Sequence, residues 1–178
     1  NQFGNENKAE VTQIGTSNIS GSFQVGDDNS NTVLQSGTEN WSLVDQNGTD
    51  NTVNVDQWGV NNISNLSQDG TGNEATITQA RRDTSANSSN SNTSNATQDG
   101  VDNTLIVSQY GVGNHTADTS QSGEENFARI RQGGNGHDAL ITQGGNNNKI
   151  YSQQSGSLNQ LTIDQDGNDN FSSEYTNG

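Results

Sequence analysis

The chain is 178 residues long and strongly acidic, with 21 Asp and Glu residues against 6 Lys and Arg and a net charge of −15. Only 24% of its residues are hydrophobic; this is too few for a conventional globular core and, taken alone, would indicate disorder. The charge argues against nucleic acid and anionic membranes as partners, and no apolar run approaches the length of a membrane span. The absence of cysteine excludes disulfides, and the absence of proline leaves every strand N–H available for pairing.

A tandem repeat organises nearly the whole chain. Its first element is a Gln at eleven-residue spacing, with few changes of interval: Gln13, Gln24, Gln35, Gln46, Gln57, Gln68, Gln79, Gln98, Gln109, Gln121, Gln132, Gln143, Gln154 and Gln165. Two residues after most of these stands a glycine: Gly15, Gly26, Gly37, Gly48, Gly59, Gly70, Gly100, Gly111, Gly123, Gly134, Gly145, Gly156 and Gly167. Five residues after most of them stands an asparagine: Asn18, Asn29, Asn40, Asn51, Asn62, Asn73, Asn103, Asn114, Asn126, Asn148 and Asn159. So regular a period predicts a solenoid, in which each unit packs on its neighbours and a thin interior is sufficient.

Between each Asn and the next Gln, alternate positions are the most apolar or the smallest. Asn51, Val53, Val55 and Gln57 show the pattern, with polar residues between them. A period of two predicts a β-strand of about seven residues with one buried face. The segment from Gln to the next Asn then forms a tight reversal, or arc, in which Gly provides a backbone conformation with positive φ.

One strand and one arc take eleven residues, so two units form a coil of about 22 residues with two strands. Stacking coils at the strand spacing of about 4.8 Å places Gln over Gln and Asn over Asn. Their amides can then bond along the stack in ladders, so each buried polar group is satisfied by its copy. The first-half strands alternate between larger and smaller inward residues, which favours the two-strand coil. The sequence thus predicts an all-β protein, a β-solenoid of about eight coils that stacks into a cross-β fibre.

The solenoid is expected to form a single domain over residues 1–178. Residues 1–79 and 98–178 carry regular repeats, whereas residues 80–97 break the pattern and are either a degenerate repeat or a loop. Gln109 and Gln121 are twelve residues apart, and we expect the extra residue in the arc around Gly113 and Asn114.

No catalytic or cofactor-binding pattern is found. His115 and His137, the only histidines, lie in or beside Asn-type positions, which favours a structural role. The run Asp164-Gln-Asp166-Gly-Asn-Asp169 allows a calcium loop as an alternative, but it lacks the closing Glu and the arc pattern explains it equally. We therefore predict no metal, no cofactor and no enzyme activity.

A few outward side chains suggest surface contacts. Arg129 and Arg131 form a basic strand face that could pair laterally with acidic arcs of neighbouring fibres. The predicted outward aromatic residues suit surface packing or fibre–fibre contacts, with sugar binding as an alternative: Phe23, Trp41, Phe127, Tyr151, Phe171 and Tyr175.

The joined pattern Gln-x-Gly-x-x-Asn and Asn-x-Ala/Ser-x-x-x-Gln resembles the curlin repeat of bacterial curli fibres. Residues 73–79 (Asn-Glu-Ala-Thr-Ile-Thr-Gln) and 126–132 (Asn-Phe-Ala-Arg-Ile-Arg-Gln) match its second half-repeat, and the resemblance covers the chain apart from residues 80–97. It implies a secreted, extracellular functional amyloid of the Gram-negative type, attached to the cell surface and supporting the biofilm matrix, adhesion and aggregation.

The resemblance also implies partners: other copies of the chain, a minor nucleator subunit and an outer-membrane secretion pore. The nucleator of the family ends in a basic repeat, whereas this chain ends in acidic residues such as Asp169 and Glu174, which favours the major subunit. Open end rungs would let copies add end to end by β-augmentation. The alternative is a monomeric β-solenoid binding module, either an adhesin segment or an ice-binding protein; an enzyme on a β-helix is a third possibility.

Overall fold

A computed structural model of the chain describes residues 1–79, 91–111 and 113–178. This part of the chain is all-β, a solenoid of about seven turns with two parallel sheets. Its strands are β1 (Gln2–Phe3), β2 (Lys8–Thr16), β3 (Ile19–Asp27), β4 (Ser30–Thr38), β5 (Trp41–Thr49), β6 (Thr52–Val60), β7 (Ile63–Thr71), β8 (Glu74–Gln79), β9 (Thr93–Val101), β10 (Thr104–Gly111), β11 (Thr116–Glu124), β12 (Phe127–Asn135), β13 (Asp138–Asn146), β14 (Lys149–Ser157), β15 (Gln160–Asn168) and β16 (Phe171–Asn177). The predicted β-solenoid is confirmed, but it has about seven turns rather than the expected eight, because β1 contains only two residues and one interval is longer than a regular coil.

The two sheets alternate along the chain. Odd-numbered strands form one sheet in the order β1-β3-β5-β7-β9-β11-β13-β15, and even-numbered strands form the other. Gln46 pairs in register with Gln24 on one side and Gln68 on the other. Each coil therefore repeats after 22 residues here, as the two-strand coil requires.

The interior lies between the sheets and is lined by alternate residues of each strand. In β6, Val53, Val55 and Gln57 are buried, whereas Asn54 is exposed. The buried apolar side chains form one continuous core: Val33, Val44, Val53, Val55, Leu66, Ala75, Ile77, Ala96, Leu105, Val107, Ala117, Ala128, Ile130, Ala139, Ile141, Ile150 and Ile163. A few apolar atoms per strand are sufficient, because rungs above and below cover each of them.

The odd sheet contributes the smaller inward face over much of the solenoid. Ser42, Ser64 and Ser94 are fully buried one above another, and their hydroxyl oxygens make no hydrogen bond. Small side chains on this sheet leave room for larger ones on the even sheet, such as Val53 and Leu105.

The irregular stretch is shorter than predicted. Residues 80–90 lie outside the described residues, but residues 93–97 belong to β9 and pair with residues 63–67 of β7. Gln68 and Gln98 are therefore adjacent although 30 residues apart, eight more than the 22 of a regular coil. The strand pairing resumes at residue 93, so residues 93–97 are part of a regular strand rather than of the irregular segment.

The extra residue between Gln109 and Gln121 falls in an arc, as expected. β10 ends at Gly111 and β11 begins at Thr116, and both strands stay in register with their neighbours. An additional residue in the arc thus leaves the sheets undisturbed.

Candidate functional site

Two columns of glutamines, most of them buried, run along the solenoid. Nε2 of Gln24 donates to Oε1 of Gln46 at 2.8 Å, and Gln46 donates to Gln68 at 3.0 Å. The odd-sheet column continues through Gln98, Gln121, Gln143 and Gln165. The even-sheet column runs through Gln13, Gln35, Gln57, Gln79, Gln109, Gln132 and Gln154. Every Gln donates toward higher residue numbers, so the columns have a direction.

Each Gln amide also bonds to the backbone of its own coil. Nε2 of Gln46 donates to the carbonyls of Asn51 at 2.9 Å and Ser30 at 3.2 Å. The side chain thus closes the arc and joins it to the next strand while bonding along the stack. This accounts for a fully buried amide, because its donors and acceptor are all used.

The asparagine columns run in the opposite direction. The backbone N–H and Nδ2 of Asn51 both donate to Oδ1 of Asn29, at 3.1 and 3.0 Å, and Nδ2 also donates to the carbonyl of Gly70 at 3.0 Å. One column contains Asn29, Asn51, Asn73, Asn103, Asn126 and Asn148. The other contains Asn18, Asn40 and Asn62 and ends at Asn159. These bonds fix the arcs above one another.

Two residues of the asparagine columns, Asn92 and His115, do not follow from the repeat spacing. Asn92 donates to Asn62, whereas Asn170, five residues after Gln165 as the spacing predicts, donates to Asn148. Asn114 was expected in the column, but His115 takes the place, and its backbone N–H donates to Asn92 at 3.3 Å. The extra residue in the preceding arc shifts the position by one. His137 occupies the next rung of the same column.

The two histidines are stacked inside the column. Both are fully buried, and their rings are nearly parallel with centroids 5.0 Å apart. The N–H of His137 donates to Nδ1 of His115 at 3.1 Å, and the N–H of Asn159 donates to Nδ1 of His137 at 3.2 Å. Each neutral ring therefore carries its hydrogen on Nε2; His137 places this atom 3.2 Å from the carbonyl of Gly133.

The pKa of His115 is lowered from 6.5 to about 4, mainly because the ring is buried and also because His137 lies beside it. The backbone of Tyr110 raises this pKa by a smaller amount. Nε2 of His115 has no hydrogen-bond partner among the described residues. A protonated ring would also turn Nδ1 into a donor facing the backbone N–H of His137. The column accepts a neutral imidazole in place of an amide oxygen and disfavours its charged form.

The predicted arc glycines all have positive φ. At Gly48 φ is 121°, and an added Cβ would clash with the carbonyl oxygen of Gly70 on the next rung. Glycine is therefore required at this position for two reasons: the positive φ and the close approach of the next rung. A second left-handed residue, which the repeat analysis missed, comes two residues later, as at Asp50 with φ 57°. Asp, Asn and Gly recur at this position, and these residue types could have predicted the left-handed conformation.

Acidic residues are concentrated on one side of the solenoid. The arcs after odd strands stack on each other through backbone hydrogen bonds, as from Asp50 N–H to the Asp27 carbonyl. We call this side the acidic edge; it carries Glu6, Asp27, Asp28, Asp50, Asp69, Asp99, Asp102, Glu124, Glu125, Asp166 and Asp169, all exposed. Among the described residues of the opposite arcs, only Glu39 is acidic.

The run considered for calcium contributes to this edge. Asp166 and Asp169 lie in the arc, whereas Asp164 faces outward from β15. Within the described residues, no three His, Asp or Glu side chains are grouped to hold a metal ion. In the same part of the chain, no helix is long and apolar enough to cross a membrane.

Cationic and aromatic side chains share the outer face of the even sheet near its C-terminal end. Nε of Arg131 donates to the Tyr110 hydroxyl at 3.1 Å, and its guanidinium lies 5.7 Å from that ring centre. Tyr151 contacts Phe127 and Phe171, with ring centres 5.2 and 6.0 Å away. All six predicted outward aromatic residues face away from the core; Phe23 and Trp41 lie on the odd sheet.

These features define a class of protein: a parallel β-solenoid whose coils are held together by Gln and Asn ladders. The family model for the curlin associated repeat matches residues 4–33, 26–59, 48–80 and 114–145. The chain belongs to this family. The first three matches start 22 residues apart, as the coil does. No curated protein and no solved structure matches the chain.

The family and the fold are structural rather than enzymatic. Proteins of this family are generally found in extracellular curli. The predicted resemblance is therefore confirmed at the level of the family.

Proposed function

We propose that this chain is a structural subunit of an extracellular curli-like amyloid fibre that grows by end-to-end addition of copies. The fibre would support a biofilm matrix, cell adhesion and aggregation. A minor nucleator and an outer-membrane secretion pore are the further partners that the family suggests.

The observation that supports end-to-end growth is the state of the edge strand β2. Val11 is 45% exposed, whereas Val33 and Val55, at the same position of the next rungs, are 1% and 2% exposed. β2 pairs with β4 on one side, and within the described residues no strand pairs with its other side, which leaves its backbone groups and its inward face uncovered there. Another rung placed there would bury Val11 and continue the sheet.

The polar columns support the same geometry. They are directional, with Gln donating toward one end and Asn toward the other. Oε1 of Gln2 and Nε2 of Gln165, at opposite ends of the odd-sheet column, are therefore positioned to bond with an added rung. Head-to-tail stacking satisfies both, whereas head-to-head stacking would oppose like groups.

The test begins with purified chain unfolded in denaturant and diluted into buffer. Unbranched fibres that increase thioflavin T fluorescence, seed fresh chain and give a diffraction spacing near about 4.8 Å are expected. A soluble β-rich monomer that persists for days would overturn the proposal and favour a monomeric binding module.

A pair of variants tests the interface itself. Val11→Lys places a charge on the uncovered inward face and is expected to slow elongation onto wild-type seeds strongly. Thr12→Lys adds the same charge on the outward face of the same strand and should elongate nearly normally. Equal elongation by the two variants would contradict end-to-end growth through β2.

A further inference from the structure

The chain carries a second surface suited to binding another copy, on its side rather than its end. The basic–aromatic face is formed by Tyr110, Arg129, Arg131, Lys149, Tyr151 and Tyr175 on β10, β12, β14 and β16. Arg129 and Arg131 are two residues apart and share one face of β12, and Tyr151 lies opposite Arg129 on β14. Three of the four cationic side chains in the described residues lie here, in a chain with a charge of −15.

These cations lack acidic partners within the described chain. The only ion pair there is Lys8 with Glu10 at 3.5 Å, so no carboxylate lies within 4.0 Å of Arg129, Arg131 or Lys149. Arg129 and Lys149 are exposed. Tyr110 holds Arg131 through its Nε and leaves the terminal guanidinium nitrogens free to bind an oxyanion.

A shallow cavity of about 190 Å³ is lined by Arg129 and Arg131 together with Tyr151, Tyr175 and Glu174. Arginine and tyrosine are enriched among the few interface residues that contribute most of the binding energy. Arginine binds carboxylates through two parallel hydrogen bonds, and the rings exclude water around them.

The acidic edge is the complementary surface on the same molecule. Its carboxylates recur at the rung spacing of about 4.8 Å, and they are exposed. Within one chain the two surfaces cannot meet, because the first is the outer face of a sheet and the second is a line of arcs. We propose that the basic–aromatic face of one copy binds the acidic edge of a second copy, side by side.

This contact rests on the proposed fibre, in which both surfaces recur along the length and many weak contacts add up. The net charge of −15 opposes close approach, but at physiological salt the screening length is about 8 Å, so local complementarity decides the contact. The expected consequence is lateral pairing of fibres in one orientation.

Disulfide trapping tests the contact directly, because the chain has no cysteine of its own. Ser173→Cys places a thiol on the basic–aromatic face, and Thr71→Cys places one on the acidic edge. Mixed and oxidised, these chains should form a heterodimer in much higher yield than Ser173→Cys mixed with Thr38→Cys, which lies on the opposite edge. In 1 M salt the yield should fall to that of the control, because the screening length is then about 3 Å.

Charge variants separate this contact from fibre formation. The pair Arg129→Gln and Arg131→Gln should leave thioflavin T kinetics unchanged while single fibres replace bundles in electron micrographs. The pair Leu140→Glu and Thr142→Glu lowers the net charge equally on the odd sheet and should still bundle.

Equal trapping at both edges, or unchanged bundling of the arginine variant, would overturn the lateral contact. If an added anionic polysaccharide or nucleic acid abolished the trapping and bound to the chain instead, the basic–aromatic face would be assigned to that polymer. Failure of every variant to form fibres would reject the proposed fibre, and trapping of the folded chain would still decide the contact.

Discussion

Acidification provides a direct test of the stacked histidines. The pKa of His115 falls from 6.5 to about 4 because the ring is buried and lies beside His137. At a pH between these two values, His115 is protonated in the unfolded chain and neutral in the folded chain. The contribution to stability is therefore fully present above about pH 6.5 and is lost as the pH falls toward 4.

The size of the effect follows from the same pKa values. Lowering the pKa from 6.5 to about 4 corresponds to about 3 kcal/mol once the pH is below both values, and to about 2 kcal/mol at pH 5. We expect the free energy of unfolding, measured with urea and far-UV circular dichroism, to fall by about 2 kcal/mol between pH 7 and pH 5 through this residue.

A matched variant isolates the histidines. Changing His115→Asn and His137→Asn together restores the amide that the rest of the column carries, as at Asn92 and Asn159. The variant should lose about 2 kcal/mol less than the wild type over the same pH interval. Equal losses in the two proteins would refute the argument that burial of His115 makes the fold sensitive to acid.

Three further predictions concern the ladders, the arcs and the core. Gly48→Ala should destabilise the fold by more than about 2 kcal/mol in urea unfolding, because a Cβ meets the Gly70 carbonyl and φ is positive; a loss below 0.5 kcal/mol would show that the arc adapts readily. Asn31→Val should stabilise by about 1–3 kcal/mol, because both polar atoms of this buried side chain lack partners; a fall in the urea midpoint would contradict this. Gln57→Leu should cost about 2–4 kcal/mol by leaving buried amides above and below unpaired, whereas Gln165→Leu at the end of its column should cost less than half as much; equal losses would mean that ladder continuity is unimportant.

The sequence was sufficient to predict the repeat, the strands and the glutamine columns, because one eleven-residue period places each Gln in register. It was insufficient where an arc changes length. Asn92 and His115 were missed because the residue that enters the column is chosen by the strand that follows, not by its distance from the preceding Gln. The exposure of Val11 depends on which rungs surround it, and no local pattern contains that information.

The long interval between β8, which ends at Gln79, and β9, which begins at Thr93, shows where the specificity of this fold lies. The columns continue across it with Gln–Gln distances of 2.8 and 3.0 Å, close to those in regular coils. The cost of closing a longer loop grows only slowly with its length. A one-residue slip in a strand, in contrast, would turn every inward side chain outward and break four polar columns. Insertions are therefore tolerated in arcs and excluded from strands, and the same rule applies to an added subunit: it can join only in the register that continues the Gln and Asn columns.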